Sequence, residues 1–224
     1  MTYSIITTQP GIYDAFLKTG LISRGIGKKI IDIEICNLYD FTFDAHRSID
    51  DTPYGGGAGM VIKVDVVKNA IDSIKKQDTR NKIQTILLTP QGKKFTQADV
   101  KRLTKFDNLI LIAGRFEGYD ERIRDLVDEE ISIGDYVLTS GDLPAQVLID
   151  AISRQIPGFI ERKESIEEES FTDGLLEYPQ YTRPEVFKNK KVPEILLSGN
   201  HEAVRKWRKE QSIKRTHKRR PDLS

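Results

Sequence analysis

The sequence predicts an α/β fold built around a mainly parallel β-sheet. Over the first 150 or so residues, short apolar runs typical of β-strands alternate with stretches that have helical patterns. The chain has 224 residues, enough to bury roughly 70% of the surface that its unfolded form exposes. One large domain or two unequal domains are both compatible with this length.

Five β-strands are expected where apolar residues, many of them β-branched, cluster over three to six positions. The expected strands are Tyr3–Thr7, Ile30–Ile35, Ile83–Leu88, Leu109–Ala113 and Ile131–Ile133.

Three helices are expected between and after these strands. The apolar residues of Val64–Lys76 recur at helical spacing, which predicts an amphipathic helix. Thr96 followed three residues later by Asp99 resembles a capping box that opens a second helix. Asp142 is expected to cap a third helix, whose interior, Leu143–Ile156, is apolar almost all round and is therefore expected to be buried.

The composition changes after Pro157. The following stretch, GFIERKESIEEES, is charged and aperiodic, which predicts a flexible linker. A helix capped by Asn200 is expected to run from His201 through Trp207 and to become strongly basic. We therefore expect a first domain over residues 1–157, a linker over 158–175 and a smaller helical domain over 176–224.

The charge is distributed unevenly. Between Lys188 and Arg220, twelve Lys or Arg residues accompany three Glu residues, although the whole chain carries a formal net charge of only +1. A basic segment on an otherwise acidic protein attracts the phosphate backbone of nucleic acids. A solvated helical face explains the same charges equally well.

The remaining composition indicates a cytoplasmic protein. The single cysteine, Cys36, cannot form an intramolecular disulfide, and 31% of the residues are charged. We expect neither an export signal nor a membrane span, because no apolar run has the required length.

Three consecutive predicted strands each continue into a loop that contains glycine. In open α/β sheets, ligands bind beyond the carboxyl ends of the strands, so these loops predict a cofactor site. Ordinary turns between packed elements use the same residues and remain an alternative. The three segments are LLTPQGKK, LIAGRFEGYDER and ISIGDYVLTSGDLPA.

Common nucleotide, metal and nucleophile motifs are absent from the sequence. Gly55–Met60, GGGAGM, matches neither the dinucleotide fingerprint nor the P-loop, and we interpret it as a mobile loop. The scattered histidines and the cysteine have no zinc-site spacing, and no serine has the sequence context of a nucleophile elbow. His46 beside Asp44, Asp50 and Asp51 could contact a metal, but a polar loop is the favoured interpretation.

Two charged residues have both a structural and a functional interpretation. Arg154 lies in a helix that is expected to be buried, where an unpaired charge is costly. Its partner could be Asp150, one helical turn earlier, or a ligand oxygen that becomes negative during a reaction. Asp173, taken alone, is one more carboxylate of a polar linker.

Eight segments together resemble the bacterial tRNA (guanine-N1)-methyltransferase family TrmD. The resemblance covers the chain to about Leu223 and is specific because the segments occur in order and at compatible spacing. It implies a SPOUT-type α/β domain with a deep trefoil knot, which general topology rules do not predict, and a small helical C-terminal domain. The segments are YGGGAGM, LLTPQG, GRFEGYDER, DEEISIGDYVLTSGDLPA, RQIPG, SFTDGLLEYPQYTRPEV, VPEILLSGNH and RRP.

The resemblance implies specific roles at matching positions. Asp173 corresponds to the general base, Arg154 to the cation that orients the target guanine, and Asp50 to a residue that reads the preceding guanine. The S-adenosylmethionine site corresponds to Leu88, Thr89, Pro90, Gly114, Glu117, Ile133, Gly134, Tyr136, Leu138, Ser140, Gly141 and Pro144.

The resemblance also implies the partners. The target is the guanine immediately 3′ of the tRNA anticodon, and the enzyme is a homodimer whose active site uses both subunits. The basic C-terminal helix, with Arg215, Lys218, Arg219 and Arg220, is expected to hold the anticodon stem. The family depends on Mg²⁺, for which Glu117 is a nearby carboxylate, but the sequence contains no ligand cluster that assigns a metal site.

The sequence departs from the family pattern at three positions: Ser140, where glycine is usual, Phe116, where tyrosine is frequent, and Gln180, where histidine is frequent. Two rival functions stay open. One is a SPOUT methyltransferase acting on another RNA position, and the other is a non-catalytic RNA-binding protein. The presence of both Asp173 and Arg154 argues against the second rival.

Overall fold

The computed structural model describes residues 1–78, 82–115, 117–161 and 168–223. The chain forms two compact units, 1–161 and 162–224. The first unit thus extends four residues beyond the predicted boundary at 157. Phe159 is the reason, because its side chain is buried and its ring lies 2.5 Å from where a Cβ on Gly25 would be. Residues 162–167, the middle of the predicted linker, lie outside the described residues.

The first unit contains a five-stranded parallel sheet. From one edge to the other, its strands are β2 (Asp32–Asn37), β1 (Thr2–Thr7), β6 (Asn108–Ala113), β5 (Ile83–Lys94) and β7 (Glu129–Ser132). All five predicted strands form, and the predicted parallel α/β sheet is confirmed. Strand β5 is longer than predicted and shifts register between Leu88 and Lys93. A small antiparallel pair is formed by β3 (Asp50–Asp51) and β4 (Val61–Ile62).

Helices cover both faces of the sheet, and the core therefore forms two apolar clusters. On β1, the side chains of Tyr3 and Ile5 belong to one cluster and that of Ile6 to the other, as the alternation of a strand requires. The helices are α1 (Asp14–Lys18), α2 (Gly20–Gly27), α3 (Val64–Gln77), α4 (Gln97–Leu103) and α5 (Asp142–Ser153). Short 3₁₀ helices are Pro10–Tyr13, Leu38–Phe41 and Glu121–Leu126.

The predictions for helices α3 and α4 are confirmed, whereas two predictions for α5, its cap and its burial, are wrong at least in part. At α4, the backbone N–H of Thr96 donates to the Asp99 carboxylate at 3.2 Å. Asp142 does not cap α5: it is the first helical residue, after the N-cap Gly141, and its side chain is buried. Its Oδ1 accepts hydrogen bonds from the hydroxyls of Thr7 (2.6 Å) and Tyr13 (2.9 Å).

The expected burial of the third helix is also wrong in part. Leu143 and Val147 are 49% and 46% exposed, so one apolar side of α5 faces outward in the single chain. The helix ends at Ser153 rather than at Ile156. Amphipathic patterning cannot reveal an exposed apolar face, because such a face has the same composition as a buried one.

The second unit contains a hairpin and a long helix. The hairpin pairs β8 (Val186–Phe187) with β9 (Lys190–Lys191), and α6 spans His201–Arg219. The predicted cap of α6 is confirmed, because the Asn200 side chain accepts a hydrogen bond from the Ala203 N–H at 3.1 Å. The 3₁₀ helices of this unit are Glu194–Leu197 and Pro221–Leu223. Within the described part of the chain, no helix has the length and apolar character that crossing a membrane requires.

Candidate active site

A cavity of about 230 Å³ lies at the carboxyl ends of β5, β6 and β7. We call it the strand-end cavity. All twelve residues that the sequence predicted for the cofactor line it, so the structure brings them together in one place. Seven further residues also line it: Arg115, Gly118, Tyr119, Ile131, Ser132, Val137 and Thr139.

The cavity forms because two of the glycine-containing loops touch through their main chains. The N–H of Gly141 donates to the carbonyl of Gly114 at 2.8 Å. A Cβ on Gly141 would lie 2.9 Å from the Cα of Ala113, closer than side-chain carbons normally approach backbone atoms. The glycine is therefore required for the loop after β7 to return to the end of β6.

Aromatic rings occupy the space that two other glycines leave. A Cβ on Gly114 would lie 2.1 Å from the Tyr119 ring, and one on Gly134 would lie 2.4 Å from the Tyr136 ring. The Tyr119 hydroxyl donates to the carbonyl of Ile112 at 3.1 Å. Burial raises the pKa of Tyr119 well above its ordinary value, so this phenol stays protonated at neutral pH. No sequence pattern singled out Tyr119, although it lies within the segment GRFEGYDER.

Ser140, one of the three departures from the family pattern, has a local role. Its Oγ accepts a hydrogen bond from the N–H of Asp142 at 3.3 Å, just before α5 begins. A serine here satisfies one of the free backbone donors at a helix start, which glycine could not do. Phe116 lies outside the described residues.

Glu117 joins the cavity to the glycine-rich loop of residues 55–60. Its backbone N–H donates to the carbonyl of Met60 at 3.2 Å. A Cβ on Gly59 would lie 2.4 Å from the Cγ of Glu117, so this glycine leaves room for the acidic side chain. Glu117 itself is exposed at the cavity. Among the described residues that line the cavity, Glu117 carries a negative charge and Arg115 a positive one.

Arg154 lies at the carboxyl end of α5 and is half-buried. The expectation of an arginine within a buried helix is therefore wrong, because the helix ends one residue earlier. The Arg154 backbone N–H donates to the carbonyl of Asp150 at 3.2 Å, and Asp150 is exposed. The preceding residue, Ser153, is buried and its hydroxyl lies 2.9 Å from that of Tyr3.

Asp173 belongs to the second unit. It is exposed and lies in a loop beside α6, residues 168–178, which we call the Asp173 loop. With Arg205, Arg208 and Lys209 of α6, Asp173 lines a cavity of about 190 Å³. In the same cavity, the guanidinium of Arg208 lies 4.6 Å from the centre of the Tyr178 ring.

The four cations predicted to bind RNA fall into two groups, those with a partner within the second unit and those that are exposed. Arg215 donates to the carbonyl of Glu177 at 3.3 Å, and Arg220 forms an ion pair with Asp222 at 2.6 Å. Lys218 and Arg219 are exposed at the end of α6. Asp50, in the first unit, is half-buried on β3 and pairs with Ile62 of β4.

The described residues contain no group of three or more His, Cys, Asp or Glu side chains arranged to hold a metal. Of the acidic residues near His46, Asp44 has partners within the protein. The Asp44 carboxylate accepts the backbone N–H of Ser48 at 3.1 Å and pairs with Lys63 at 3.6 Å. The bond from Ser48 is the main cause that lowers the pKa of Asp44.

Comparison with known proteins gives one consistent match. The family described as "tRNA (Guanine-1)-methyltransferase TrmD" matches residues 1–224. Proteins named tRNA (guanine-N(1)-)-methyltransferase are similar along their length. That of Thermosipho africanus is 51% identical over 223 residues, covering 100% of this chain and 89% of the relative. That of Dictyoglomus turgidum is 47% identical over 219 residues, which are 98% of this chain and 88% of the relative. That of Pseudomonas paraeruginosa is 48% identical over 220 residues, which are 98% of this chain and 87% of the relative.

Proposed function

This chain belongs to the TrmD family of tRNA (guanine-1)-methyltransferases, and we propose that it methylates N1 of the guanine immediately 3′ of the tRNA anticodon. The observation that carries the proposal is the gathering of all twelve expected cofactor residues around the strand-end cavity. An unpaired anticodon-loop base can be splayed out for reaction at little energetic cost.

The strand-end cavity suits S-adenosylmethionine, the donor that membership of this family implies. Apolar side chains such as Leu88, Leu138 and Pro144 offer surfaces for a flat purine, and exposed loop backbone offers partners for its polar edge. The carboxylate of Glu117 complements a sulfonium charge. When bound, the donor supplies an electrophilic methyl carbon.

Asp173 is proposed as the general base. Neutral guanine N1 carries a proton and has no free in-plane lone pair, so a base must remove that proton for N1 to become a nucleophile. A carboxylate on an exposed loop can reach a base presented from solution. Asp173 takes the N1 proton, and the electron pair of the broken N–H bond forms the new N–C bond. The methyl carbon–sulfur bond of the donor breaks at the same time, and its electron pair stays on sulfur and neutralises the sulfonium charge.

Arg154 is proposed to steady the purine during this step. As the proton leaves N1, negative charge spreads toward O6 of guanine. A guanidinium already in place stabilises that charge better than water, which must reorient. The half-buried position of Arg154 at the end of α5 leaves it partly accessible to a ligand while its backbone is held by the helix.

Two further features of the family are proposed for this chain. The exposed apolar side chains of Leu143, Val147 and Val137 support a homodimer that covers them. A SPOUT-type trefoil knot is supported by the chain path: β6 and β7 lie on opposite sides of β5, and the loop after β7 returns to contact Gly114. Methylation of tRNA also supports a cytoplasmic location.

For tRNA binding, the exposed cations Lys218 and Arg219 of α6 are proposed to contact the phosphate backbone. Asp50 is proposed to read the preceding guanine, since a carboxylate can accept hydrogen bonds from guanine N–H groups. The described residues hold no cluster of three or more His, Cys, Asp or Glu side chains, and no chemical step is assigned to a metal.

The decisive experiment is to incubate tRNA with methyl-labelled donor and the purified protein and to map the labelled nucleotide. We expect label at N1 of the guanine 3′ of the anticodon, and none in a matched tRNA with adenine at that position. Label at another nucleotide would favour a SPOUT enzyme of different specificity. Donor and tRNA binding without any label would favour a non-catalytic RNA-binding protein.

A further inference from the structure

We propose that Ser212 and Thr216 of α6 are positioning residues for Asp173. The inference rests on the proposed role of Asp173 as the general base. It concerns the second unit alone, where the Asp173 loop and α6 pack together.

The two hydroxyls hold both backbone polar groups of one loop residue. The N–H of Leu176 donates to Oγ1 of Thr216 at 2.8 Å, and the carbonyl of Leu176 accepts a hydrogen bond from Oγ of Ser212. Thr216 is 0% exposed and Ser212 is 9% exposed, which makes them the buried residues of α6. Four residues apart, they lie on the same side of the helix.

The orientation of the Thr216 hydroxyl is determined by the helix itself. Its hydrogen is donated to the carbonyl of Ser212 at 2.8 Å. A hydroxyl has one donor hydrogen and two acceptor lone pairs. With its hydrogen committed inside α6, the Thr216 oxygen can only accept from the loop, which matches the bond from Leu176.

The loop then closes on itself around Asp173. The N–H of Phe171 donates to the carbonyl of Leu175 at 2.7 Å, so the two residues that flank the turn are joined. The N–H of Glu177 donates to the Ser170 hydroxyl at 2.9 Å. Gly174 has φ +74°, in the left-handed region that favours glycine, and directly follows Asp173. Asp173 therefore sits on a short closed turn whose far end is tied to α6 through Leu176.

This arrangement matters because an aspartate side chain has few torsions. Once the backbone of the turn is held, the carboxylate is restricted to the few positions that the staggered χ1 rotamers allow. A displacement of about 1 Å in a reacting group can lower a rate roughly a hundredfold. Removing the Thr216 hydroxyl leaves the Leu176 N–H without its acceptor and releases the end of the turn.

The experiment compares variants of the full-length protein in single-turnover methylation with saturating tRNA and donor. Thr216→Val and Ser212→Ala each remove one hydroxyl. Thr216→Ser is the conservative variant, which keeps the hydroxyl and removes only the methyl group. Ser198→Ala is the control: it removes a hydroxyl that bonds the backbone of Ile195 in the same unit, away from the Asp173 loop. We expect Thr216→Val and Ser212→Ala each to slow methyl transfer by about tenfold or more. We also expect affinity for tRNA to stay within about twofold, and Thr216→Ser and Ser198→Ala to react at the normal rate.

Two readouts separate positioning from a general structural role. At high pH guanine N1 loses its proton without a base, so the defect of Thr216→Val should shrink, as should that of Asp173→Asn. In the double variant Asp173→Asn with Thr216→Val, the second substitution should cause no further loss of methylation rate, because the base through which Thr216 acts is already absent. Other charged or titratable residues line the cavity with Asp173 and are identical in all of these variants. They are Glu168, Glu169, Glu177, Tyr178, Arg205, Arg208 and Lys209.

The outcomes distinguish the two proposals. Asp173→Asn reacting at the normal rate would show that the base assignment itself fails. If Asp173→Asn is slow while Ser212→Ala and folded Thr216→Val react normally, the positioning role is overturned and the base assignment survives. Losses that multiply in the double variant would likewise overturn it, because Thr216 would then act independently of Asp173. Should Thr216→Val unfold, as thermal melting would reveal, Ser212→Ala decides the same question.

Discussion

The strand-end cavity and the Asp173 loop are constructed in opposite ways. The cavity lies at the ends of three strands that carry buried side chains such as Leu88, Ala113 and Ile131, and glycines such as Gly141 and Gly114 let its loops approach through their main chains. The Asp173 loop has no buried residue and is tied to α6 by side-chain hydroxyls and one arginine. The difference indicates that donor binding depends on close packing, whereas the proposed proton transfer depends on a few directional hydrogen bonds.

If this division holds, substitutions in the two regions should affect different steps. Changes at the cavity should weaken donor binding, and changes in the Asp173 loop should slow turnover with donor binding intact.

Asp173→Asn tests the division most strongly. The amide cannot accept the N1 proton, so we expect turnover to fall by about 10²–10⁴, with unchanged donor affinity measured by calorimetry. The matched control is Glu169→Gln, which neutralises another carboxylate of the same loop and cavity and should leave turnover near normal. Turnover of Asp173→Asn near that of the unchanged protein would refute the assignment.

Arg154→Ala tests whether effects on turnover are confined to the Asp173 loop, because Arg154 belongs to the first unit but is proposed to act in the chemical step. We expect turnover to fall by about 10²–10³ and donor affinity to be retained. Asp150→Ala is the control. If Arg154 served only to hold α5 through Asp150, both variants would lower the melting temperature and keep normal activity per folded molecule.

Gly141→Ala sharpens the cavity side of the comparison. The added methyl group would lie 2.9 Å from the Cα of Ala113 and 3.2 Å from the N of Gly114, and main chain cannot move aside easily. Overpacking of this kind costs about 1–3 kcal/mol, so we expect donor affinity to fall by about tenfold or more. Gly11→Ala, with nothing within 4 Å of its Cβ, should bind donor normally. Equal donor affinity in the two variants would contradict the packing argument.

The smallest expected effect concerns the cations of α6. The double variant Lys218→Gln with Arg219→Gln should weaken tRNA binding. The slope of the logarithm of the binding constant against the logarithm of salt concentration should become shallower by about one to two. Arg215→Gln with Arg220→Gln removes the same charge, but these residues bond Glu177 and Asp222. That pair should instead lower the melting temperature and leave the salt slope nearly unchanged. Identical slopes for both double variants would remove the distinction between the two groups.

Local patterns predicted the regular elements well and the exceptions poorly. The strands, α3 and the Asn200 cap follow from residue types that act within a few positions. Helix α2 was not predicted, because it contains three glycines, Gly20, Gly25 and Gly27, which disfavour helix locally. Gly25 is nevertheless needed there, because the ring of Phe159 from 134 residues later packs against it.

The candidate site shows the same limit. Glycine-rich loops after consecutive strands indicated where a ligand site would form, but not that Tyr119 fills the space beside Gly114. Asp142 had the sequence of a helix cap, yet its side chain bonds Thr7 and Tyr13 in distant parts of the chain. No local pattern contains such partners.

The amino-acid sequence by itself determined the strands and most helices, because these depend on the order and type of nearby residues, and its resemblance to a known family indicated twelve of the residues that line the strand-end cavity. Only the tertiary structure decided which cations of α6 are engaged within the molecule, which side of α5 stays exposed and how the Asp173 loop is held. These features depend on contacts between residues far apart in the chain, and burial and hydrogen-bond partners exist only once those residues meet.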